Sequence, residues 1–210
     1  MALEATHIRF AIDLKDKYQV KDIKSYIVGT VYPDSRYITG IDRALTHSED
    51  FLDWNWENEN DFKKGWLVHL LVDKFQKQIA KQELPQIFEG EVGQASEVWV
   101  KHTALKILQD LVDARAFDIR SYLRYLEYVE NPNGEDIDMI KKYNQIIIKM
   151  YADSKKVNIN SCYKMWKDFG IGDDLVAKIK IQAEQYFKDN KVLASIEEIY
   201  NKTLQKIKDL

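Results

Sequence analysis

The run Gly65-Trp66-Leu67-Val68-His69-Leu70-Leu71-Val72-Asp73-Lys74-Phe75 constrains this chain more than any other stretch. From Trp66 to Val72 every residue except His69 is apolar, no proline interrupts, and good helix formers continue to about Glu83. A helix that is apolar on all sides is a buried helix. Residues four apart share a helix face, so His69 and Asp73 point the same way. A buried polar group without a partner costs roughly 2–7 kcal/mol, so both must be satisfied. They can satisfy each other, or they can hold a divalent metal together, which imidazole and carboxylate suit. This helix alone leaves both readings open.

The remaining pattern is helical as well. Leu3, His7, Phe10 and Leu14 form an apolar stripe that puts His7 on the buried side of a first helix. Asp22 reads as the cap of a second helix. Pro33 biases Tyr32 away from helical geometry and leaves Asp34 at a helix exit or in a loop. A short helical piece from Ile41 to Leu45 leads to His47 at an element boundary. Phe51 to Trp56 reads as a short helix or loop folded onto the core, with a substrate-binding aromatic wall, Trp54 included, as the alternative. Asn60 or Asp61 should cap the central helix and Leu84-Pro85 should stop it. Ser96 opens the helix carrying His102, and Asp118, Asp136 and Asp173 read as caps of three more. A shorter helix is expected over Ser161 to Phe169, and a last one from about Ala194 to the end. Period-2 alternation nowhere outcompetes the helical period. The expected fold is all-α: one domain over 1–210, a single bundle of roughly eight to ten helices. Residues 1–115 would form the core bearing the His/Asp set, and 116–210 packing or cap helices.

Charge and composition exclude several classes. The net charge of -3 argues against a broad nucleic-acid footprint, which needs a basic face. The lone Cys162 cannot form an internal disulfide, which fits a reducing compartment. The N-terminal residues lack the basic and apolar runs of a signal peptide, and no stretch approaches the roughly 20 apolar residues of a membrane span. A cytoplasmic location is therefore expected. There is no Gly-x-Ser-x-Gly elbow, no Walker loop and no Gly-x-Gly-x-x-Gly. Nothing in the pattern sets an oligomeric state.

What remains is a set with metal chemistry. The four histidines, His7, His47, His69 and His102, fall in the first half of the chain, with Asp34 and Asp73. Thr6-His7 in the first helix, Pro33-Asp34, His47, and Gly65-Trp66-x-x-His69-x-x-x-Asp73 together resemble the zinc-dependent phospholipase C family, related to S1/P1-type nucleases. The resemblance covers roughly residues 6 to 75. It implies an all-α fold, a zinc cluster and phosphoester hydrolysis. It also implies that Asp34, His47, His69 and Asp73 hold one metal, that Asp73 bridges to a second bound by His7, and that Asp34 sits beside the attacking water and helps to deprotonate it.

Secreted members of that family complete another metal site with further histidines, including a His-x-x-x-Glu pair. Here only His102 remains downstream, and Lys106 stands four residues later. A core or supporting role is expected for His102. Their use of a mature N-terminal amine as a ligand is not carried over to a chain read without a leader. The expected site therefore holds one or two ions, zinc first, although Mn, Fe or Mg would also suit a mixed His/carboxylate set. Arg36, two residues past Asp34, is a candidate for a phosphate contact, against a surface salt bridge.

The functional expectation is a metal-dependent hydrolase acting on a small phosphorylated or phosphodiester substrate through a metal-activated water. The alternative is a non-catalytic all-α binding or scaffold protein retaining a structural metal site. An HD-type phosphohydrolase ranks third, because it needs adjacent His-Asp and no histidine here is followed by Asp.

Overall fold

Helix α5 (Asp61–Glu83) is the element against which the others are placed, and a glycine contact sets where its main neighbour lies. A Cβ on Gly65 would stand 2.0 Å from the Tyr26 carbonyl oxygen, and one on Gly29 would stand 1.9 Å from the Phe62 carbonyl oxygen. No real Cβ tolerates such distances, so α2 (Ile23–Val31) and α5 meet backbone to backbone through two glycines. The computed structural model describes residues 3–53, 55–91, 93 and 95–210. Among these the regular elements are α-helices and short 3-10 turns, so the chain is all-α as the periodicity predicts.

Among the described residues, eight α-helices of nine residues or more make up the body. Helix α1 (Glu4–Leu14) packs on α2, α5 and α6 (Glu97–Ala116), and α11 (Asn190–Lys208) lies along α5. Helices α8 (Ile137–Tyr151), α9 (Ile159–Asp168) and α10 (Asp173–Tyr186) complete the other side, with α9 and α10 both against α6. Three single-turn helices, α3 (Arg36–Thr39), α4 (Ala44–His47) and α7 (Arg120–Leu123), shape the connections. No helix of the described residues is long and apolar enough to cross a membrane. One core runs through all the long helices, and side chains such as Phe10, Val68, Val72 and Tyr143 are fully buried. Each such aliphatic or aromatic side chain contributes roughly 1.5–3 kcal/mol of transfer free energy.

Helix α5 is buried from Lys64 to Val72, as its composition requires. Beyond Asp73 one flank opens, and Lys74, Lys77, Gln78 and Lys81 are exposed. Asn60 caps it, its side chain accepting from the Lys63 N–H. Asp61 serves a neighbour instead, accepting from the N–H groups of Lys21 and Asp22. Asp22, Ser96 and Asp136 cap their helices as expected.

Several boundaries differ from the sequence pattern. The helix expected after Asp118 is broken into α7 and a 3-10 turn, Arg124–Glu127. The Asp118 carboxylate there accepts from Ser121 Oγ and Arg120 rather than capping a long helix. Gly172, not Asp173, occupies the cap position of α10. Helix α9 begins two residues before the expected start, capped by Asn158, and Asp189 caps α11 ahead of Ala194. These two starts follow an available side-chain acceptor, which decides helix starts locally. Trp54, in the proposed aromatic wall, lies outside the described residues.

The start of α1 is fixed from another helix. Its cap residue, Leu3, offers no side-chain acceptor, and the Thr6 N–H donates instead to Asp110 of α6. A carboxylate there satisfies one of the four free N–H groups that open every helix. Tyr151 also donates to Asp110, and Tyr143 donates to Glu4. These bonds set the rotation of α1 and thereby aim His7.

Candidate metal centre

Five side chains separated by up to 66 residues in sequence converge beside α5: His7, Asp34, His47, His69 and Asp73. α5 supplies His69 and Asp73 one turn apart, and α1 supplies His7. Asp34 comes from the 3-10 turn Tyr32–Ser35, which the proline forces at the end of α2. His47 ends α4, whose preceding residue Thr46 is pinned when Trp66 Nε1 donates to its carbonyl at 2.8 Å. Trp66 in the Gly-Trp-x-x-His-x-x-x-Asp element thus holds the His47 segment, not only the core.

The donor atoms have the spacing of a coordination shell. His47 Nε2 stands 3.3 Å from His69 Nε2, 3.6 Å from Asp34 Oδ1 and 3.9 Å from Asp73 Oδ2, and His69 Nε2 is 3.9 Å from Asp73 Oδ2. Ligand atoms at zinc distances in a tetrahedron are roughly 3.3 Å apart. On the far side of Asp73, Oδ1 lies 3.6 Å from His7 Nε2. The His7 ring stacks on His69 at 3.8 Å, and both its nitrogens are buried without a hydrogen-bond partner. A cation would take the lone pair of one of these two nitrogens.

Tautomers strengthen the case. His69 Nδ1 is 2.9 Å from the Thr30 carbonyl oxygen, an acceptor only, so Nδ1 carries the proton and Nε2 presents a lone pair. Thr46 Oγ1 lies 2.8 Å from His47 Nδ1 and 3.4 Å from the Arg43 carbonyl, so it can accept from Nδ1–H while its own proton goes to that carbonyl. In that tautomer His47 Nε2 also presents a lone pair, 3.3 Å from His69 Nε2, and a cation could take both. Such outer hydrogen bonds are how metal-ligating histidines are oriented.

Protonation states agree. Burial holds His7 well below its ordinary pKa and pulls His69 down to about 4. Burial pushes the Asp34 and Asp73 carboxyls upward, but hydrogen bonding and charge from His47 and His69 at Asp34, and the surrounding positive charge at Asp73, outweigh it and leave both below their ordinary values. Neutral imidazoles beside ionised carboxylates are the forms metal ligation requires. The residues present therefore fit a transition-metal ion.

The centre is not enclosed. Asp34 and Asp73 line a small cavity of about 10 Å³, walled by Glu4, Tyr37, Arg43, Lys106 and, from the C-terminal half, Trp166 and Phe169. Asp73 and His47 also line an open groove of about 410 Å³ that runs along the exposed flank of α5. Burial raises Glu4 to about 8, with Asp34 and Asp110 adding to the effect, so at neutral pH it brings no further negative charge to the cavity. Burial pulls the Lys106 ammonium down to about 8 against the opposing attraction of Asp73 and Asp34.

The other expected site residues fall elsewhere. His102 packs its ring against Phe88 at 5.0 Å and joins neither group of converging donors. The Arg36 guanidinium lies 4.4 Å from the centre of the Tyr37 ring and does not line the cavity; Arg43 does. Arg43, Lys106 and Glu4 were not legible as site residues. Arg43 sits in a polar segment where charge is the default, Lys106 lies on a helix whose apolar side faces the core, and an acid in the first turn of a helix already has a role at the dipole. Compared with protein-family models, with curated proteins and with solved structures, the chain matches none.

Proposed function

We propose that the chain is a metal-dependent phosphoesterase, hydrolysing a small phosphorylated or phosphodiester substrate. The observation that supports this reading is the placement of the donor set. Its carboxylates form part of a cavity wall and its His47–Asp73 edge borders an open groove. A structural metal site is closed, whereas a catalytic one keeps a position open to water and substrate. The resemblance to zinc-dependent phospholipases C over residues 6 to 75 supplies the reaction class.

Asp34, His47, His69 and Asp73 would hold one ion, and His7 with the second oxygen of Asp73 would hold another. Zinc is the first candidate; Mn, Fe or Mg would also suit these ligands. Such an ion polarises a phosphoryl oxygen and lowers the pKa of its water to about 7. The chain's own residues do the rest. Thr30 and Thr46 fix the two imidazoles in one tautomer and orientation. Asp34, at the cavity wall, would take a proton from the attacking water, the role the resemblance implies for it. Trp166 and Phe169 exclude bulk solvent from one side of the cavity.

The test is the metal content of untagged protein by elemental analysis, with His69→Ala and Asp73→Asn alongside. One or two equivalents of a transition metal in the wild type, lost from both variants together with activity on phosphomonoester and phosphodiester substrates, is the expected result. A wild type that stays metal-free after reconstitution with Zn or Mn overturns the proposal. A loaded but inactive protein would favour the alternative, a scaffold with a structural metal.

A further inference from the structure

Cations gather on one side of the donor set in a protein whose net charge is -3. Arg43, Lys74, Lys77 and Lys81 all line the groove that begins at His47 and Asp73. Glu49 is the one acid there apart from Asp73. Among the described residues none of these four cations forms an ion pair, whereas Lys63 pairs with Glu59 and Lys101 with Glu97. Lys74, Lys77 and Lys81 follow each other at helical spacing on one flank of α5. At 1.5 Å per residue their stripe runs about 10 Å away from the ligand Asp73.

A fifth cation stands closer to the donors. Lys106 is 7% exposed, forms no ion pair among the described residues, and lines the small cavity together with Asp34, Asp73 and Arg43. Burying an ammonium without a bonded carboxylate is costly, and a long side chain with four rotors could have turned outward. Arg43 lines both the cavity and the groove and so joins the two groups.

We propose that this array recognises a substrate carrying at least two phosphate groups: Arg43, shared by cavity and groove, meets the phosphoryl group beside His47 and Asp73, Lys106 adds positive charge from the cavity side, and Lys74, Lys77 and Lys81 hold a second phosphate along the groove. The substrate class is a small polyphosphorylated molecule. A duplex nucleic acid needs a longer basic face than about 10 Å. The inference builds on the proposed phosphoesterase reading, but its test does not need the metal.

The probe is inorganic tripolyphosphate, titrated calorimetrically at low ionic strength into the full chain as isolated and again after metal removal. Orthophosphate is the comparison. Tripolyphosphate should bind at least tenfold more tightly than orthophosphate in both forms. Lys77→Gln with Lys81→Gln should weaken it at least tenfold, while Lys141→Gln with Lys142→Gln, an equal charge change on the exposed face of α8, should leave it within twofold. Lys77 and Lys81 are exposed, so their substitution leaves the fold intact. Arg43→Gln gives a second solvent-exposed test at the junction. Equal affinity for the two anions, or equal weakening by both lysine pairs, overturns the proposal. Tripolyphosphate binding that persists in a protein shown to carry no metal leaves the groove standing while the phosphoesterase reading falls.

Discussion

The Nε2 atoms of His47 and His69 face each other across 3.3 Å, with Thr46 Oγ1 and the Thr30 carbonyl against their opposite nitrogens. With the protons on those opposite nitrogens, as metal ligation requires, both lone pairs would point at one cation. That arrangement makes the hydroxyl of Thr46 a quantity that can be measured. Thr46→Val keeps the shape and removes the acceptor for His47 Nδ1–H. Loss of an outer partner of this kind typically costs 10–100-fold in metal affinity. Competition titration with a chromophoric chelator should show zinc affinity reduced by about that factor; an unchanged affinity would mean that His47 is not a ligand.

Metal should also stabilise the fold. A ligand that binds only the native state adds about 2.7 kcal/mol at one hundred times its Kd. Adding zinc to chelator-treated protein is expected to raise the thermal midpoint of the wild type and to leave that of His69→Ala unmoved. Differential scanning calorimetry of the two side by side reads this directly, and equal shifts in both would assign the zinc to some other place.

Gly65→Ala should be strongly destabilising. The new methyl would meet the Tyr26 carbonyl at 2.0 Å, with the Thr30 backbone next, and both are main-chain atoms that cannot turn aside. Overpacking typically costs 1–3 kcal/mol and more where backbone must move. Gly93→Ala, with nothing within 4 Å of the added carbon, is the control and should be near neutral. Urea denaturation curves of the two variants check the difference. Because α2 carries the Thr30 carbonyl that orients His69, Gly65→Ala should also lose metal affinity.

Stability should carry a pH signature from Asp110. Burial raises this carboxyl to about 7 from an ordinary value of 3.8. Between those values the native state binds the proton more readily than the unfolded chain, so this group's contribution to stability falls as pH rises from about 4 to 7. His7 and His69, whose pKa values are lowered, act with the opposite sign, gaining stability as pH rises toward 6.5. The informative quantity is therefore the difference between wild type and Asp110→Asn, in excess chelator. The variant's midpoint should rise relative to wild type across pH 4 to 7, and a constant difference over that range would contradict the assignment.

The helical content and the centre of the fold were legible because both rest on local rules. His69 and Asp73 stand out on α5 because a buried helix admits so few polar side chains. His7 stands out on α1 for the same reason. Asp34 and His47 are weaker signals, since a proline turn and a polar loop carry such residues in most proteins; the resemblance drew attention to them. What the sequence could not show was which distant groups share a space. Lys106 is one turn from His102 on a helix read as packing, and nothing local says that its ammonium reaches the wall that Asp34 and Asp73 line. Trp166 and Phe169 are likewise invisible as cavity residues, because α9 comes 86 residues after Asp73 begins the groove. The boundary errors at Asp118 and Asp173 have a different origin: both helices start at a residue without a side-chain cap, Ile119 and Gly172, so the nearby acid was a misleading signal.

Helix α5 divides its labour lengthwise. Its inner flank sets donor geometry through Gly65, His69 and Asp73, and its outer flank sets the charge of the groove through Lys74, Lys77 and Lys81. Changes on the outer flank disturb no buried contact. A lineage built on this framework can therefore exchange what the groove accepts, one charge at a time, while the inner flank stays frozen. Variation among sequences sharing this fold should concentrate at 74, 77, 78 and 81 and be nearly absent at 65, 69 and 73.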